Sequence, residues 1–166
     1  RSARSVIPPF GGHPGKRLRP DRNSQLFGPS IADMDEFNFE VEIDVRFRDL
    51  DAMGHVNNAV YATYLEQTRV EYIEDVIGEP LMETGAVLAD LHIDYERPID
   101  WGETVTVAVR ADDPGTSSIP MTYEIRADGE VAATAETHMV IIDRETGDPT
   151  PMPEAWRERI REHEGH

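Results

Sequence analysis

The sequence predicts a single α+β domain in which one long helix packs against a five-stranded antiparallel sheet. One helical pattern follows the first strand pattern, and four more strand patterns then come in succession without helices between them. Strands joined by short turns pair antiparallel. A chain of 166 residues is long enough for one hydrophobic core and too short for two well-formed ones. We therefore expect the helix to lie on one concave face of the sheet.

The first strand is predicted over Val41–Arg48, where apolar and charged residues alternate and Phe47 falls on the side that faces the core. Apolar residues then recur at helical spacing. Asn57 and Asn58 are both favoured N-cap residues, so the helix is expected to begin at about residue 58 or 59. It is expected to end at Gly78. The width of its apolar stripe indicates that the sheet embraces it.

Four further strands and a terminal helix complete the predicted domain. The strands are expected at about Ala86–Arg97, Glu103–Ala111, Ser118–Ala127 and Val131–Asp143, and the helix at Glu154–Glu162. The Asp128-Gly129 pair is a strong signal for a tight hairpin between the last two strands.

The composition excludes several classes of function. A formal charge of −17 argues against nucleic acid, whose phosphates would be repelled. The absence of cysteine excludes disulfides and thiolate metal sites, and the six histidines show no metal-ligand spacing. No apolar run approaches the roughly 20 residues that cross a bilayer. We expect a cytoplasmic protein with no metal, no cofactor and no membrane or nucleic-acid partner.

The charge is divided unevenly along the chain. Residues 1–33 carry six basic and two acidic side chains and are rich in proline, glycine and serine, so they are predicted to be a disordered basic extension. Met34 is the expected natural start, and a regulatory or anion-binding tail is the alternative. Residues 34–152 form the predicted main domain, and residues 153–166 form the short C-terminal helix and tail.

The remaining surface is dense in carboxylates, and Lys16 is the only lysine in the chain. A high-salt cytoplasm favours such a surface, because salt shortens the Debye length to about 3 Å at 1 M and self-repulsion then costs little. A genome that prefers arginine codons is the other explanation. The sequence leaves both open.

The junction between the first strand and the helix, Phe47–Glu66, gathers the polar groups on which function depends. The first N–H groups of a helix have no intrahelical partners, and the helix dipole makes that end positive. A carbonyl oxygen aimed at this end is polarised, and its negative charge is stabilised during an addition step. Asp51 lies one loop before it, in place to act as a base or a nucleophile. Gly54 lets the backbone approach a ligand closely.

The junction reads Asp49-x-Asp51-x-x-Gly54-His55-Val56-Asn57-Asn58-x-x-Tyr61-x-x-Tyr64-x-Glu66. It resembles the signature of hotdog-fold acyl thioesterases of the 4-hydroxybenzoyl-CoA thioesterase family. Its His-Val-Asn-Asn-x-x-Tyr part is shared with plant-type acyl-ACP thioesterases, and a weaker likeness covers residues 41–152. The resemblance implies the hotdog fold, a sheet wrapped around a long helix, and hydrolysis of an acyl thioester.

Matched position by position, the resemblance implies that Asp51 is the essential carboxylate and that the backbone N–H of Asn58 donates to the thioester carbonyl. His55 matches a catalytic histidine of the acyl-ACP branch, but Met53 stands where that branch has asparagine. His55 therefore either takes part in catalysis or orients the loop. Four positions complete the predicted substrate-binding set: Gly54, Asn57, Tyr61 and Glu66.

Two residues of the motif have structural alternatives. Asp49 is expected to be a turn or strand-end residue. Glu66 is either part of the site or the partner of Arg69 or Arg48 in an ion pair.

The sequence thus predicts an acyl-CoA thioesterase. The alternatives are a non-catalytic acyl-CoA-binding hotdog protein and an acyl-ACP thioesterase. A single five-stranded sheet has unpaired edges and an uncovered apolar face, so we expect copies of this chain to associate and cover them. The resemblance implies a homodimer or homotetramer in which each site is shared between subunits.

Overall fold

The computed structural model describes residues 37–166. The predictions for residues 1–33 and for Met34 as the natural start lie outside the described residues. Within the described range the elements are β1 (Phe39–Ile43), α1 (Asn58–Tyr72), α2 (Leu81–Thr84), β2 (Ala86–Tyr95), β3 (Val105–Ala111), β4 (Ser118–Ala127), β5 (Glu130–Ile141) and α3 (Glu154–Glu164).

The five strands form one antiparallel sheet in the order β1-β3-β4-β5-β2. The long helix α1 packs on one face of this sheet, and fully buried tyrosines from both layers fill the space between them: Tyr61, Tyr72 and Tyr123. Along β4 every second residue is buried, as expected for a strand with one face on the core. The predicted α+β hotdog architecture is confirmed.

The hairpin between β4 and β5 shows how local sequence sets the register of the sheet. Asp128 and Gly129 have φ angles of +50° and +81°, and together they form the two-residue turn. Turns that follow the twist of the flanking strands require positive φ at both positions, which Asp-Gly adopts readily. The turn was predicted, and β4 spans the predicted residues.

The first strand differs from its prediction. It ends at Ile43 instead of Arg48, and a single 3₁₀ turn follows at Phe47–Asp49. The Asp49 carboxylate accepts a hydrogen bond from the backbone N–H of Arg46 at 2.9 Å, which draws the chain into this turn. Phe47 is consequently 80% exposed, and the prediction that it faces the core is wrong.

The predicted helix continues to Gly78 but changes form on the way. It is α-helical to Tyr72 and becomes a π-helical turn over Ile73–Ile77. The turn closes on Gly78, which has a φ of +76° and donates its N–H to the carbonyl of Ile73. The short helix α2, which the sequence analysis did not predict, follows at once. No helix in the range 37–166 has the length and apolar composition needed to cross a bilayer.

The C-terminal helix α3 packs on the same core as the sheet. Its Ile160 is fully buried. Near its end, Glu164 accepts hydrogen bonds from the Tyr72 hydroxyl at 2.6 Å and from the Ala111 backbone N–H at 2.9 Å. One carboxylate thus joins the last turn of α1 to the end of β3, and α3 helps to fix the orientation of the central helix.

Candidate active site

The loop that precedes α1 is a closed hairpin. Leu50 and Val56 face each other in an isolated antiparallel bridge. Asp51 donates its N–H to the carbonyl of His55 at 2.8 Å, and Gly54 donates to the carbonyl of Asp51 at 3.1 Å. Gly54 has a φ of +88°, which a residue with a Cβ rarely adopts, although a Cβ there would meet no other atom. Glycine is therefore needed at this position for its backbone angle.

The Asp51 carboxylate is held by the backbone of its own loop. Its Oδ1 accepts hydrogen bonds from the N–H groups of Met53 at 2.8 Å and His55 at 3.3 Å. Within residues 37–166, Oδ2 has no hydrogen-bond partner. The side chain is half-buried. One oxygen is thus anchored, and the second is available to a ligand.

The start of α1 is organised as the sequence predicts. Asn57 is the N-cap: its backbone is extended and its Oδ1 accepts a hydrogen bond from the Ala59 N–H at 2.9 Å. The Asn57 N–H itself donates to the carbonyl of Asp49 at 2.8 Å, which ties the helix start to the preceding turn. The N–H of Asn58 has no hydrogen-bond partner among the described residues. It is the free donor at the positive end of the helix.

Tyr95, at the end of β2, contacts this helix start. Its hydroxyl donates to the carbonyl of Asn58 at 2.8 Å. Its ring meets that of Tyr61 edge to face, with 5.0 Å between the centroids. Tyr61 is 1% exposed, and burial raises the pKa of its hydroxyl. Tyr61 therefore forms a wall beneath the helix start, and Tyr95 is the neighbour that sequence reasoning missed.

A second partner that the sequence analysis missed is Asp100. Its carboxylate lies 3.4 Å from Nε2 of His55, whose side chain is 32% exposed. The backbones of the two residues also form a bridge, and Val56 donates its N–H to the carbonyl of Ile99 at 2.9 Å. The turn after β2 thus holds His55 in place. The only signal in the sequence was the weaker family likeness over residues 41–152, which includes this turn.

A comparison with models of known protein families identifies the family to which this chain belongs. The model of the thioesterase-like superfamily matches residues 45–160, which include the loop, α1 and the whole sheet beyond β1. The chain belongs to the thioesterase-like superfamily.

Individual relatives agree with the family match. A thioesterase from Thermus thermophilus, crystallised with coenzyme A and zinc, is 44% identical and superposes with a TM-score of 0.74 over 80% of this chain and 98% of its own. The putative acyl-CoA thioesterase YneP of Bacillus subtilis is 28% identical over 69% of this chain and 87% of its own. The long-chain acyl-CoA thioesterase FadM of Escherichia coli is 26% identical over 74% and 97%. The predicted resemblance to hotdog thioesterases is confirmed, and the protein is a thioester hydrolase.

In this thioesterase Asp49 has the structural role expected from the sequence. It is 9% exposed, and its Oδ2 accepts from the Tyr64 hydroxyl at 3.1 Å as well as from the backbone of Arg46. Burial, and next the Asp49 charge, raise the pKa of Tyr64. This pair joins the turn before the loop to the second turn of α1, and it leaves Asp51 as the loop carboxylate with an oxygen available to a ligand.

Glu66 is not brought to the helix start within one chain. It is exposed and lies eight residues after Asn58, about 12 Å further along the helix axis. Among the described residues it forms no ion pair with Arg48 or Arg69. The same residues contain no group of three or more histidine, aspartate or glutamate side chains that could hold a metal ion.

Proposed function

We propose that this thioesterase hydrolyses acyl-CoA to the free acid and CoA, with Asp51 as the catalytic carboxylate and the Asn58 N–H as the donor to the thioester carbonyl. The observation that carries the proposal is the free N–H of Asn58 at the positive end of a buried helix, beside a loop that leaves one Asp51 oxygen unpaired. The names of YneP and FadM support CoA as the carrier.

The chemistry requires a donor for the carbonyl oxygen and an activated oxygen nucleophile. In the water route, Asp51 removes a proton from water while the water oxygen bonds to the acyl carbon. The negative charge on the former carbonyl oxygen is stabilised by Asn58. The bond from carbon to sulfur then breaks, and the sulfur takes a proton to give the CoA thiol. In the alternative route the Asp51 carboxylate attacks the acyl carbon first, the bond from carbon to sulfur breaks and the CoA thiolate leaves with a proton from solvent. Water then hydrolyses the resulting anhydride and regenerates the carboxylate.

The remaining predicted residues support this step. His55, held by Asp100, positions the loop that carries Asp51. Asn57 caps the Ala59 N–H and so leaves the Asn58 N–H for the substrate, and Gly54 allows the tight loop. Tyr61, buried beneath the helix start and packed on Tyr95, is proposed to back the thioester from that side.

The proposal includes assembly into a homodimer or homotetramer. β2 lies at one edge of the sheet and pairs with β5 alone, so its other edge has unpaired backbone groups among residues 37–166. Its large apolar side chains are exposed, Leu88 by 42% and Leu91 by 36%. A second copy that meets this edge covers both, and it completes the site because Tyr95 of the same strand contacts the helix start.

Thiol release from acyl-CoAs of different chain lengths tests the proposal. Asp51→Asn keeps an oxygen for the two loop hydrogen bonds and is expected to lower kcat by about 10² to 10⁴-fold. Asp51→Ala is expected to be equally inactive. Asp75→Asn, an exposed carboxylate in the π-helical turn, is the control and is expected to match the wild type.

Two results would contradict the proposal. Full activity of both Asp51 variants would remove Asp51 from the mechanism. Tight acyl-CoA binding without thiol release by the wild type would indicate a non-catalytic binder. A single turnover in oxygen-18 water separates the two routes, because label that first enters the Asp51 carboxylate indicates nucleophilic attack by this residue.

A further inference from the structure

Arg69 is a buried cation that the proposed mechanism does not use. It lies on α1, is 4% exposed, and forms no ion pair with any acidic side chain in the range 37–166. Its Nε is buried without a hydrogen-bond partner in the same range. Burial of a guanidinium is costly unless an anion or several acceptors compensate it. The described residues thus supply Arg69 with no negatively charged partner, and the neutral hydroxyl of Tyr123 is the acceptor beside its guanidinium.

One polar side chain of the sheet, Tyr123, lies next to Arg69, and a second, Thr137, is bonded to Tyr123. The hydroxyl of Tyr123 on β4 accepts a hydrogen bond from the Thr137 hydroxyl of β5 at 3.3 Å, and both residues are at most 1% exposed. Burial raises the pKa of Tyr123, and the nearby charge of Arg69 partly opposes that rise. We call Arg69, Tyr123 and Thr137 the Arg69 cluster. It is a group of buried polar side chains in a core that is otherwise mostly apolar.

An apolar row leads from the catalytic loop to this cluster. Five residues of β2 pair with buried residues of β5 and so share the face that looks toward α1. We call the four large ones, which follow Ala86, the inner row: Leu88, Leu91, Ile93 and Tyr95. Tyr95 contacts the helix start through Asn58. Leu91 is directly opposite Thr137, a member of the Arg69 cluster. The row thus joins the two polar sites along one side of the helix.

The distance between the two sites matches an extended acyl chain. Arg69 follows Asn58 by eleven residues, which is about 16 Å along the helix axis. Helical side chains lean toward the N-terminus of the helix, so the guanidinium lies somewhat closer than its Cα. A thioester whose carbonyl accepts from the Asn58 N–H can lay its acyl chain on the inner row, with the far end at the Arg69 cluster.

We infer that the Arg69 cluster binds a carboxylate at the far end of the acyl chain, which makes acyl-CoAs of dicarboxylic acids the preferred substrates. The inference rests on the proposed function, because it places the thioester end of the substrate at Asn58. A carboxylate pairs with the guanidinium and accepts from the Tyr123 hydroxyl, whereas a methyl end leaves the cation unpaired. A terminal carboxylate also fits the inner row, because the rest of the acyl chain that carries it is apolar.

A carboxylate from a second copy is the competing source of the anion. In a two-fold contact each copy presents the same residues to the other. The inner row contains no acidic residue. Asp90 and Asp94 of β2 lie on the opposite face, where their carboxylates are within 2.9 Å of His138 and 3.2 Å of His92. The strand most exposed to a second copy thus offers Arg69 no counter-charge.

Binding of non-hydrolysable substrate analogues tests the inference. CoA thioethers of increasing chain length are prepared in pairs that end either in a methyl group or in a carboxylate, and their affinities are measured by calorimetry. At the matching length we expect the wild type to bind the carboxylate form about tenfold more tightly or better. Arg69→Met, which keeps the volume and removes the charge, is expected to abolish this preference and to retain binding of the methyl form. Arg69→Lys is expected to keep part of the preference.

The control is Arg110→Met, because Arg110 is partly exposed and lies 3.7 Å from Asp112. It should leave the preference unchanged. Equal affinity of the wild type for both forms at every length would overturn the inference, as would a preference that survives in Arg69→Met. Loss of the oligomer in Arg69→Met without any wild-type preference would assign the anion to a second copy and also overturn it.

Thiol release from the matching thioesters separates this inference from the proposed function. A carboxylate preference in binding without hydrolysis would contradict the proposed function alone. Hydrolysis of methyl-ended acyl-CoAs without a carboxylate preference would contradict the inference alone. Failure to bind either thioether would contradict both.

Discussion

Strands β4 and β2 belong to one sheet, yet their surroundings differ. In β4 every second side chain is buried, and Ile125 is fully buried in the core. In β2 the residues that face the same side remain open, with Leu91 at 36% and Tyr95 at 46% exposed. The helix completes the core on one half of the sheet only. An apolar strand face left open in this way is typical of a surface that binds another molecule, and we expect it to be covered in the assembled protein.

Truncation of one apolar side chain in β4 and one in β2 gives the largest expected difference between the two strands. Ile125→Ala removes a fully buried side chain and is expected to lower the free energy of unfolding by about 2 to 5 kcal/mol. Leu91→Ala in the isolated subunit should cost about 0.5 kcal/mol or less, because its site is open to solvent. Urea unfolding at low protein concentration measures both. Equal losses at that concentration would show that β2 is already covered within one chain.

A charge on the inner row tests what covers β2. Leu91→Arg is expected to weaken self-association by about 2 kcal/mol, because a charge would be buried at the centre of the contact. His92→Arg places the same charge on the opposite face of β2 and serves as the matched control. Sedimentation over a range of concentrations measures both, and an unchanged association constant for Leu91→Arg would exclude β2 as the contact.

The connection between β2 and β3 is held by ion pairs of Arg97, of which the one with Glu103 is the shorter and the one with Glu130 is 3.6 Å long. Arg97 and Glu103 lie 2.9 Å apart, and Arg97 also donates to the carbonyl of Ala127. The hydrogen bond from Arg97 lowers the pKa of Glu103 below its ordinary value of 4.5. Glu103→Gln is therefore expected to cost about 1.5 kcal/mol at neutral pH.

The pH dependence of this cost follows from the sign of the shift. Because the folded state lowers the pKa of Glu103, the stabilisation is complete above pH 4.5 and is lost as the pH falls through the lower folded value. Wild type and Glu103→Gln should thus converge in acid. A difference in unfolding free energy that persists unchanged below that range would contradict this role.

The smallest expected effect concerns salt. Two copies of a chain with a formal charge of −17 repel each other, and salt screens that repulsion. From low to multimolar KCl we expect tighter self-association and a higher melting temperature, the behaviour of a protein adapted to high salt. A melting temperature that does not rise with KCl would favour codon preference as the reason for the lack of lysine.

The parts of the fold that the sequence predicts are those set by near neighbours. The cap at Asn57 and the turn at Asp128-Gly129 depend on residues a few positions away, and both were predicted. The end of β1 was wrong because a side chain three positions ahead, Asp49, draws Arg46 into a turn that the alternating pattern does not reveal.

The contacts that the sequence does not predict are those between elements far apart along the chain, because they depend on how the folded strands and the helix are aligned. Tyr95 reaches Asn58 across 37 positions, and Asp100 reaches His55 across 45, so neither contact has a local pattern. Arg69 falls on the buried side of the helix beside Thr68, but on the sequence it reads equally well as an ion-pair partner of Glu66. Its burial becomes evident only once the sheet is in place.

The hydrogen bond from Tyr95 to Asn58 lies on the strand where copies are expected to meet, so we expect activity to depend on enzyme concentration. The same strand supplies the edge at which copies are expected to meet and a hydroxyl that supports the first turn of the central helix. Dilution that separates the copies would loosen this strand and the helix start together. We expect specific activity to fall on dilution at the concentration where the subunits dissociate. The enzyme is then expected to be inactive at low concentration.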